Sequence, residues 1–296
     1  MSTKARLRSF QLLGTILERL PERLDVALVE AAFGVVGRTA IWRRTALRDN
    51  IAAALGADEG PLNDGLLDRM AARGARGYGR YWAEGAKLPA MRPEDVTARI
   101  VFSEGGEHMR DAVAAGRGVI MVLPHVGSWE WGGAFLADIG WTMTAVAERL
   151  EPPELYDYFV RQRERMGLRV VPLDERAGGA IARVLRAGGV VGLLADRDIQ
   201  GNGIPARLLG RDVSVPAGPA MLAMRSGATL LCAAVYSGPG EDHHVVVTPP
   251  VDTSRRGQLR EDVARVTQAV TDELGWLIRR APEQWHVLQR VLGPAA

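Results

Sequence analysis

Apolar residues recur at two different spacings along this 296-residue chain. From residue 5 to residue 90 the spacing is helical. Phe10, Leu12, Leu13, Ile16 and Leu20, and then Leu24, Val26, Leu28, Val29, Ala32 and Phe33, are separated by charged positions at intervals of three and four, which predicts amphipathic helices. Pro21 falls between the two segments and is expected to separate them. From about residue 98 short β-rich runs alternate with helical stretches. The runs are Ile100–Phe102, Val119–Leu123, Met143–Val146, Val170–Pro172, Val190–Ala195, Thr229–Tyr236 and His244–Val247. Helices are predicted around 107–115, 130–138, 153–167, 178–187, 216–226 and 259–280. Strands alternating with helices predict βαβ units, an α/β fold with a mostly parallel central sheet flanked by helices. Residues 1–90 are expected to form a helical N-terminal layer and 91–296 the α/β body.

Composition narrows the class. With 47% hydrophobic residues and a net charge of +2, the chain is too apolar and too nearly neutral to be disordered. Charge is uneven, since the first fifty residues hold nine bases against five acids. A basic end suits a phosphate-rich partner such as an anionic membrane or nucleic acid, and an uneven surface of a soluble protein has the same look. The first amphipathic segment, with Arg6, Arg8 and Arg19 for its polar face, suits a membrane interface as well as packing on the protein's own core. Charges interrupt any apolar h-region near the N-terminus, and no stretch of about 20 apolar residues exists to span a bilayer. Neither a signal peptide nor a transmembrane helix is therefore expected. Cys232 is the only cysteine. It excludes an intrachain disulfide and a thiolate metal cluster, and its place in an apolar run predicts a buried small hydrophobe.

The stretch "VLPHVGSWEWGG", residues 122–133, carries the candidate chemistry. His125 follows an apolar strand, and ligands of open α/β sheets bind at the carboxyl ends of strands. A lone histidine there is more often structural, but Glu130 lies five residues on. On one helix that spacing would turn the two side chains apart by about 140°. With His125 in the loop before the helix and Glu130 in its first turn, the carboxylate is expected to fold back onto the imidazole. It would fix the tautomer and free the other nitrogen to take a proton from an alcohol. Main-chain N–H groups near Gly127 and Ser128 would serve a developing oxyanion. No serine has the G-x-S-x-G frame of a nucleophile elbow, so no covalent acyl-enzyme is expected. A second cluster, Asp196-Arg197-Asp198, ends the apolar run "VVGLLA" and should open beside His125. Three charges at a strand end either pair among themselves or bind something polar. A metal site built from Asp196, Asp198, His125, His243 and His244 is a weaker reading, since no spacing matches a zinc motif. Arg80, Tyr81, Trp82 and Glu84 form a mixed aromatic and charged face, suited to a sugar and a phosphate or to an ordinary helix surface.

H-x-x-x-x-[DE] at a strand end resembles the motif of the glycerolipid acyltransferases and of the lauroyl/myristoyl acyltransferases of lipid A synthesis. The chain is most similar to the phosphatidylinositol mannoside acyltransferases of actinobacteria. The similar stretches, in order, are "YGRYWAEGAKLP", "LPHVGSWEWGG", "AERLEPPELYDYFVRQRERMGL", "ADRDIQGNG", "VPAGPAMLAMRSGA" and "PEQW". The resemblance implies transfer of a long acyl chain, typically palmitoyl, from acyl-CoA as co-substrate to the 6-hydroxyl of a mannose on phosphatidylinositol mono- or dimannoside. It implies a peripheral enzyme at the cytoplasmic face of the plasma membrane, with residues 1–90 facing an anionic membrane surface, and no cofactor, metal or nucleic-acid partner. His125 would be the base and Glu130 its partner. Arg149, Arg163, Asp196, Arg197, Asp198, Arg80 and Glu84 would bind polar groups of the acceptor or the CoA phosphates, and Trp129, Trp131 and Phe135 would line an acyl groove. Aspartate is expected in the mannoside enzymes where this chain has Glu130, and glutamate in the lipid A enzymes. The alternatives are a lipid A-type transfer to another glycolipid and a non-catalytic lipid- or CoA-binding protein.

Overall fold

A computed structural model describes residues 22–39, 41–56 and 62–293. The amphipathic segment before Pro21 lies outside these residues. Among the described residues three helices come first, α1 (Glu22–Thr39), α2 (Ile41–Ala54) and α3 (Asp64–Lys87), the last capped at its N-terminus by the Asn63 side chain accepting from the Leu66 amide. A 3₁₀ turn at Leu88–Ala90 and a short α4 (Pro93–Thr97) lead into the α/β body. There, β1 (Ile100–Glu104), β2 (Val119–Leu123), β3 (Met143–Ala147), β4 (Arg169–Pro172) and β5 (Val190–Leu194) alternate with α5 (Gly106–Ala114), α6 (Trp129–Asp138), α7 (Pro153–Arg165) and α8 (Ala177–Arg186). A hairpin, β6 (Ile204–Leu208) and β7 (Arg211–Val215), precedes α9 (Gly218–Ser226), β8 (Thr229–Ser237), β9 (His243–Val247), α10 (Leu259–Arg280) and a 3₁₀ turn at Pro282–Gln284.

Seven strands form one sheet in the order β1-β9-β8-β2-β5-β3-β4, parallel throughout except for β8 against β9. The fold is therefore the α/β class that the pattern predicts. β2 is buried along its whole length between β5 and β8, which is why Val119–Leu123 reads as an unbroken apolar run and does not alternate. Ile120, Val122, Val191 and Leu230 point to one face, against α8, α9 and α10. Val119, Met121, Leu123, Val190 and Leu231 point to the other, against α5 and α6. On a pleated strand, successive side chains serve opposite layers, so one run of sequence feeds both halves of a three-layer core.

The N-terminal helices close one end of the body. α1 lies against α3, where a Cβ on Gly79 would come within 2.9 Å of Phe33 and the Val29 carbonyl. Glycine at that position lets the two helices approach backbone to side chain. Asn50 on α2 donates to the carbonyls of Val287 and Gln289, which ties the helical layer to the C-terminal segment.

Candidate active site

The site begins with the register of β2 on β5. Leu123 pairs with Leu194, and the ladder runs one step further through the Ala195 amide donating to the Leu123 carbonyl. His125 and Asp196 each follow two residues after that paired end. They meet: Asp196 Oδ1 lies 2.5 Å from His125 Nδ1, and Asp196 Oδ2 accepts from the His125 amide at 2.9 Å and from Trp285 Nε1 at 2.7 Å. A carboxylate only accepts, so Nδ1 carries the proton and Nε2 is the free lone pair. Asp196 is fully buried. Burial alone would raise its pKa, but the His125 charge and the three donors outweigh that and hold it below the usual carboxylate range.

The strand-to-helix loop holds its shape through Gly127. Its φ is +59°, and a Cβ there would sit 1.9 Å from the Val235 carbonyl oxygen. Because the chain passes so close to β8, Ser128 donates its amide to that oxygen at 2.9 Å. The Gly127 amide donates to Gln284, and the His286 amide donates to the His125 carbonyl at 2.7 Å. A C-terminal segment thus lies antiparallel to the loop, with Val126 bridged to Trp285. Of the amides expected to serve an oxyanion at the helix start near Gly127 and Ser128, those of Gly127 and Ser128 themselves are taken. Trp129 and Glu130, the first two residues of α6, have amides with no carbonyl one turn back.

His125 opens into a cavity of about 770 Å³, within the range of small-molecule sites. Its walls come from α1 (Val29, Phe33), α3 (Tyr78, Tyr81, Trp82), α6 (Trp129, Glu130), α7 (Tyr158, Phe159, Arg163) and the segment at His286. Glu130 faces this cavity, not the imidazole. Its Oε1 accepts from the Tyr81 hydroxyl and from Arg163 Nη2, both at 3.0 Å, and its Oε2 is buried without a partner. Burial, and then the Glu130 charge, push the Tyr81 phenol well above its ordinary pKa, so it remains a donor. Arg163 also lies over the ring of Trp129, 5.1 Å from its centroid.

Up to this point the geometry supplies an oriented base, a helix start and an apolar cavity. The family model of bacterial lipid A biosynthesis acyltransferases matches residues 10–292. The chain belongs to this family. It is an acyltransferase. It is 35% identical over 250 residues, 82% of this chain and 75% of the relative, to a phosphatidylinositol mannoside acyltransferase of Mycobacterium tuberculosis. It is 33% identical over 279 residues, 92% of this chain and 87% of the relative, to a protein of the same name from Mycolicibacterium smegmatis.

The acyltransferase gathers only some of the expected residues around its cavity. His125, Glu130, Arg163, Arg197 and Trp129 line it. The carboxylate on His125 is Asp196, in place of the expected Glu130, because β5 is the direct neighbour of β2 and Asp196 sits level with the ring. Asp198 points elsewhere, accepting from the Gly201 and Gly203 amides and the Ser214 hydroxyl, and so organises the loop into the β6–β7 hairpin. Arg149 is exposed and paired with Asp174 at 2.8 Å. Arg80 donates to Glu84 and to the carbonyls of Gly238 and Gly240, fixing α3 to the β8–β9 turn. Trp131 is buried and stacked on His243, centroids 4.0 Å apart, and Phe135 packs on Phe102. Both belong to the core, because α6 turns them away from the face that carries Trp129. Cys232 is buried with its thiol pKa raised by burial. Among the described residues no three His, Cys, Asp or Glu side chains gather in a metal-holding group. Two contributors, Trp285 and His286, carry no expected role. The sequence signal was the "PEQW" stretch just before the C-terminus, whose tryptophan meets Asp196 only through the fold.

Proposed function

We propose that the protein transfers a long acyl chain, palmitoyl, from acyl-CoA to the 6-hydroxyl of a mannose on phosphatidylinositol mono- or dimannoside. The observation that carries this reading is the buried Asp196 on Nδ1 of an imidazole whose Nε2 is open to a cavity. His125 Nε2 takes the hydroxyl proton as the oxygen attacks the thioester carbonyl. The Trp129 and Glu130 amides, at the positive end of α6, stabilise the tetrahedral oxyanion. The intermediate collapses with cleavage of the carbon–sulfur bond, and the imidazolium returns the proton to the leaving thiolate. Transfer is direct, and Asp196 supports the transient positive charge. Glu130, Arg163 and Tyr81 face the acceptor, and Arg197, with its Nε buried and unpartnered, faces phosphate. The names of the relatives support the acceptor.

No helix among the described residues is long and apolar enough to cross a membrane. The proposed place is the cytoplasmic surface of the plasma membrane, reached through the basic N-terminal residues and α1, where Leu28 and Val35 are 62% and 59% exposed. A second reading, transfer to a lipid A-type glycolipid, draws on the glutamate at position 130. Mass spectrometry of products from purified protein, palmitoyl-CoA and a panel of glycolipids in anionic vesicles tests both. Palmitoylated phosphatidylinositol mannoside is expected, falling as salt rises, and His125→Ala should form none. Product on other acceptors alone, or an active His125→Ala protein, would refute the proposal.

A further inference from the structure

His286 is an imidazole that the proposed mechanism leaves unused, although its main chain is bonded to that of the base. The antiparallel pairing sends consecutive side chains to opposite sides. Trp285 goes inward to Asp196, and His286 goes into the cavity. The His286 ring packs against Tyr78 and Tyr81, each with centroids 5.5 Å away. Among the described residues its two ring nitrogens have no hydrogen-bond partner.

We propose that His286 binds a second hydroxyl of the acceptor sugar, beside the hydroxyl that His125 deprotonates. This rests on the reading of the site as one that acylates a carbohydrate. A neutral imidazole offers one donor and one acceptor, the same pair a hydroxyl offers, whereas a phosphate calls for cations and an acyl chain for neither. Burial, and then the nearby His125, lower the His286 pKa to about 3. The ring therefore stays uncharged at neutral pH, and adds no second positive charge when His125 becomes an imidazolium. The Tyr78 and Tyr81 rings fix its plane, so little side-chain freedom is lost on binding.

The test pairs a protein variant with a substrate variant. His286→Phe keeps an aromatic ring against Tyr78 and Tyr81 and removes both nitrogens. Its kcat/KM for the full acceptor is expected to fall about tenfold, the scale of one hydrogen bond. A series of monodeoxy-mannose acceptors then locates the partner. One member should cost the unaltered protein about the same factor and cost His286→Phe nothing further. His286→Gln, which retains an amide donor and acceptor, should recover part of the loss and serves where the Phe variant folds poorly. A loss shared equally by every acceptor, or acceptor kcat/KM within twofold in both variants, would overturn the role of His286. Absence of transfer by the unaltered protein would instead overturn the acyltransfer to a sugar on which it rests.

Discussion

At the scale of single residues, two carboxylates near one imidazole have different work. Asp196 accepts from Nδ1 and from two further N–H groups, so it decides the tautomer. Glu130 bonds Tyr81 and Arg163, so it shapes the cavity that the base faces. Replacing Asp196 by Asn exchanges one acceptor oxygen for an NH₂ group set among donors. The imidazole then turns or takes the other tautomer, and Nε2 ceases to be the free lone pair. Asp196→Asn should reduce kcat by about 10²–10⁴-fold, the usual range for a lost general base, and lower stability by about 1–3 kcal/mol through the stranded donors. Glu130→Gln leaves the His125–Asp196 bond intact, and its effect is expected chiefly in the acceptor's KM. Steady-state kinetics on both variants decides it; a Glu130→Gln loss in kcat as large as that of Asp196→Asn would return the orienting role to Glu130. The residue types at the site were legible from sequence, because an imidazole and three charges end two apolar runs. Which carboxylate meets the ring was not, because that depends on β5 lying next to β2, and strand order leaves no local mark.

Elements set these meetings. The β2–β5 register brings His125 and Asp196 level, and the C-terminal segment adds Trp285 by pairing with the loop after β2. Both arrangements depend on the loop passing β8 at the distance Gly127 permits. Gly127→Ala would place a methyl 1.9 Å from the Val235 oxygen at a φ of +59°, a conformation a β-carbon disfavours by about 1–2 kcal/mol before any clash. The loop must move, and with it the Ser128–Val235 and Gly127–Gln284 hydrogen bonds. Urea denaturation should show a loss of at least about 3 kcal/mol, combining that strain with the strained bonds, along with loss of transfer. Stability within 1 kcal/mol of the unaltered protein, roughly one hydrogen bond, would contradict this account. The seven sheet strands each fall on a run visible in the sequence, continuous and apolar where both faces are buried, as in β2, and marked by β-branched and aromatic residues in the exposed edge strand β1. The β6–β7 hairpin does not. Ile204–Leu208 carries Pro205 and Arg207 on its exposed positions, and Arg211–Val215 carries Asp212 and Ser214. Half-exposed strands of five residues with a proline read as loop; only the partner strand makes the alternation meaningful.

Across the whole molecule, the α/β body and the N-terminal helices hold two imidazoles, one buried and one half-buried, far from their ordinary titration. His243 is completely buried against Trp131, and burial, followed by the positive charges of Arg80 and Arg99, lowers its pKa to about 3. His286, in the cavity wall, is lowered to about 3 by burial and by His125. In the unfolded chain both return to about 6.5. The folded-state pKa values are thus depressed, so below pH 6.5 the unfolded state binds protons that the folded state refuses. Stability must rise with pH across this range and fall as pH drops from about 6.5 toward 3. Asp196 acts in the same direction but at lower pH, since its window begins at the ordinary carboxylate value. Between pH 6.5 and pH 5 the two histidines therefore dominate, partly opposed by Glu273, whose carboxyl burial raises above its usual value. Two protons correspond to a limiting slope of about 2.7 kcal/mol per pH unit. Urea denaturation at half-unit steps through that interval should show the decline, and His286→Phe, which removes one of the two groups, should roughly halve its slope. A free energy of unfolding that stays flat from pH 7 to pH 5 would mean that both rings accept their protons inside the fold, and a slope already halved in the unaltered protein would mean that one does.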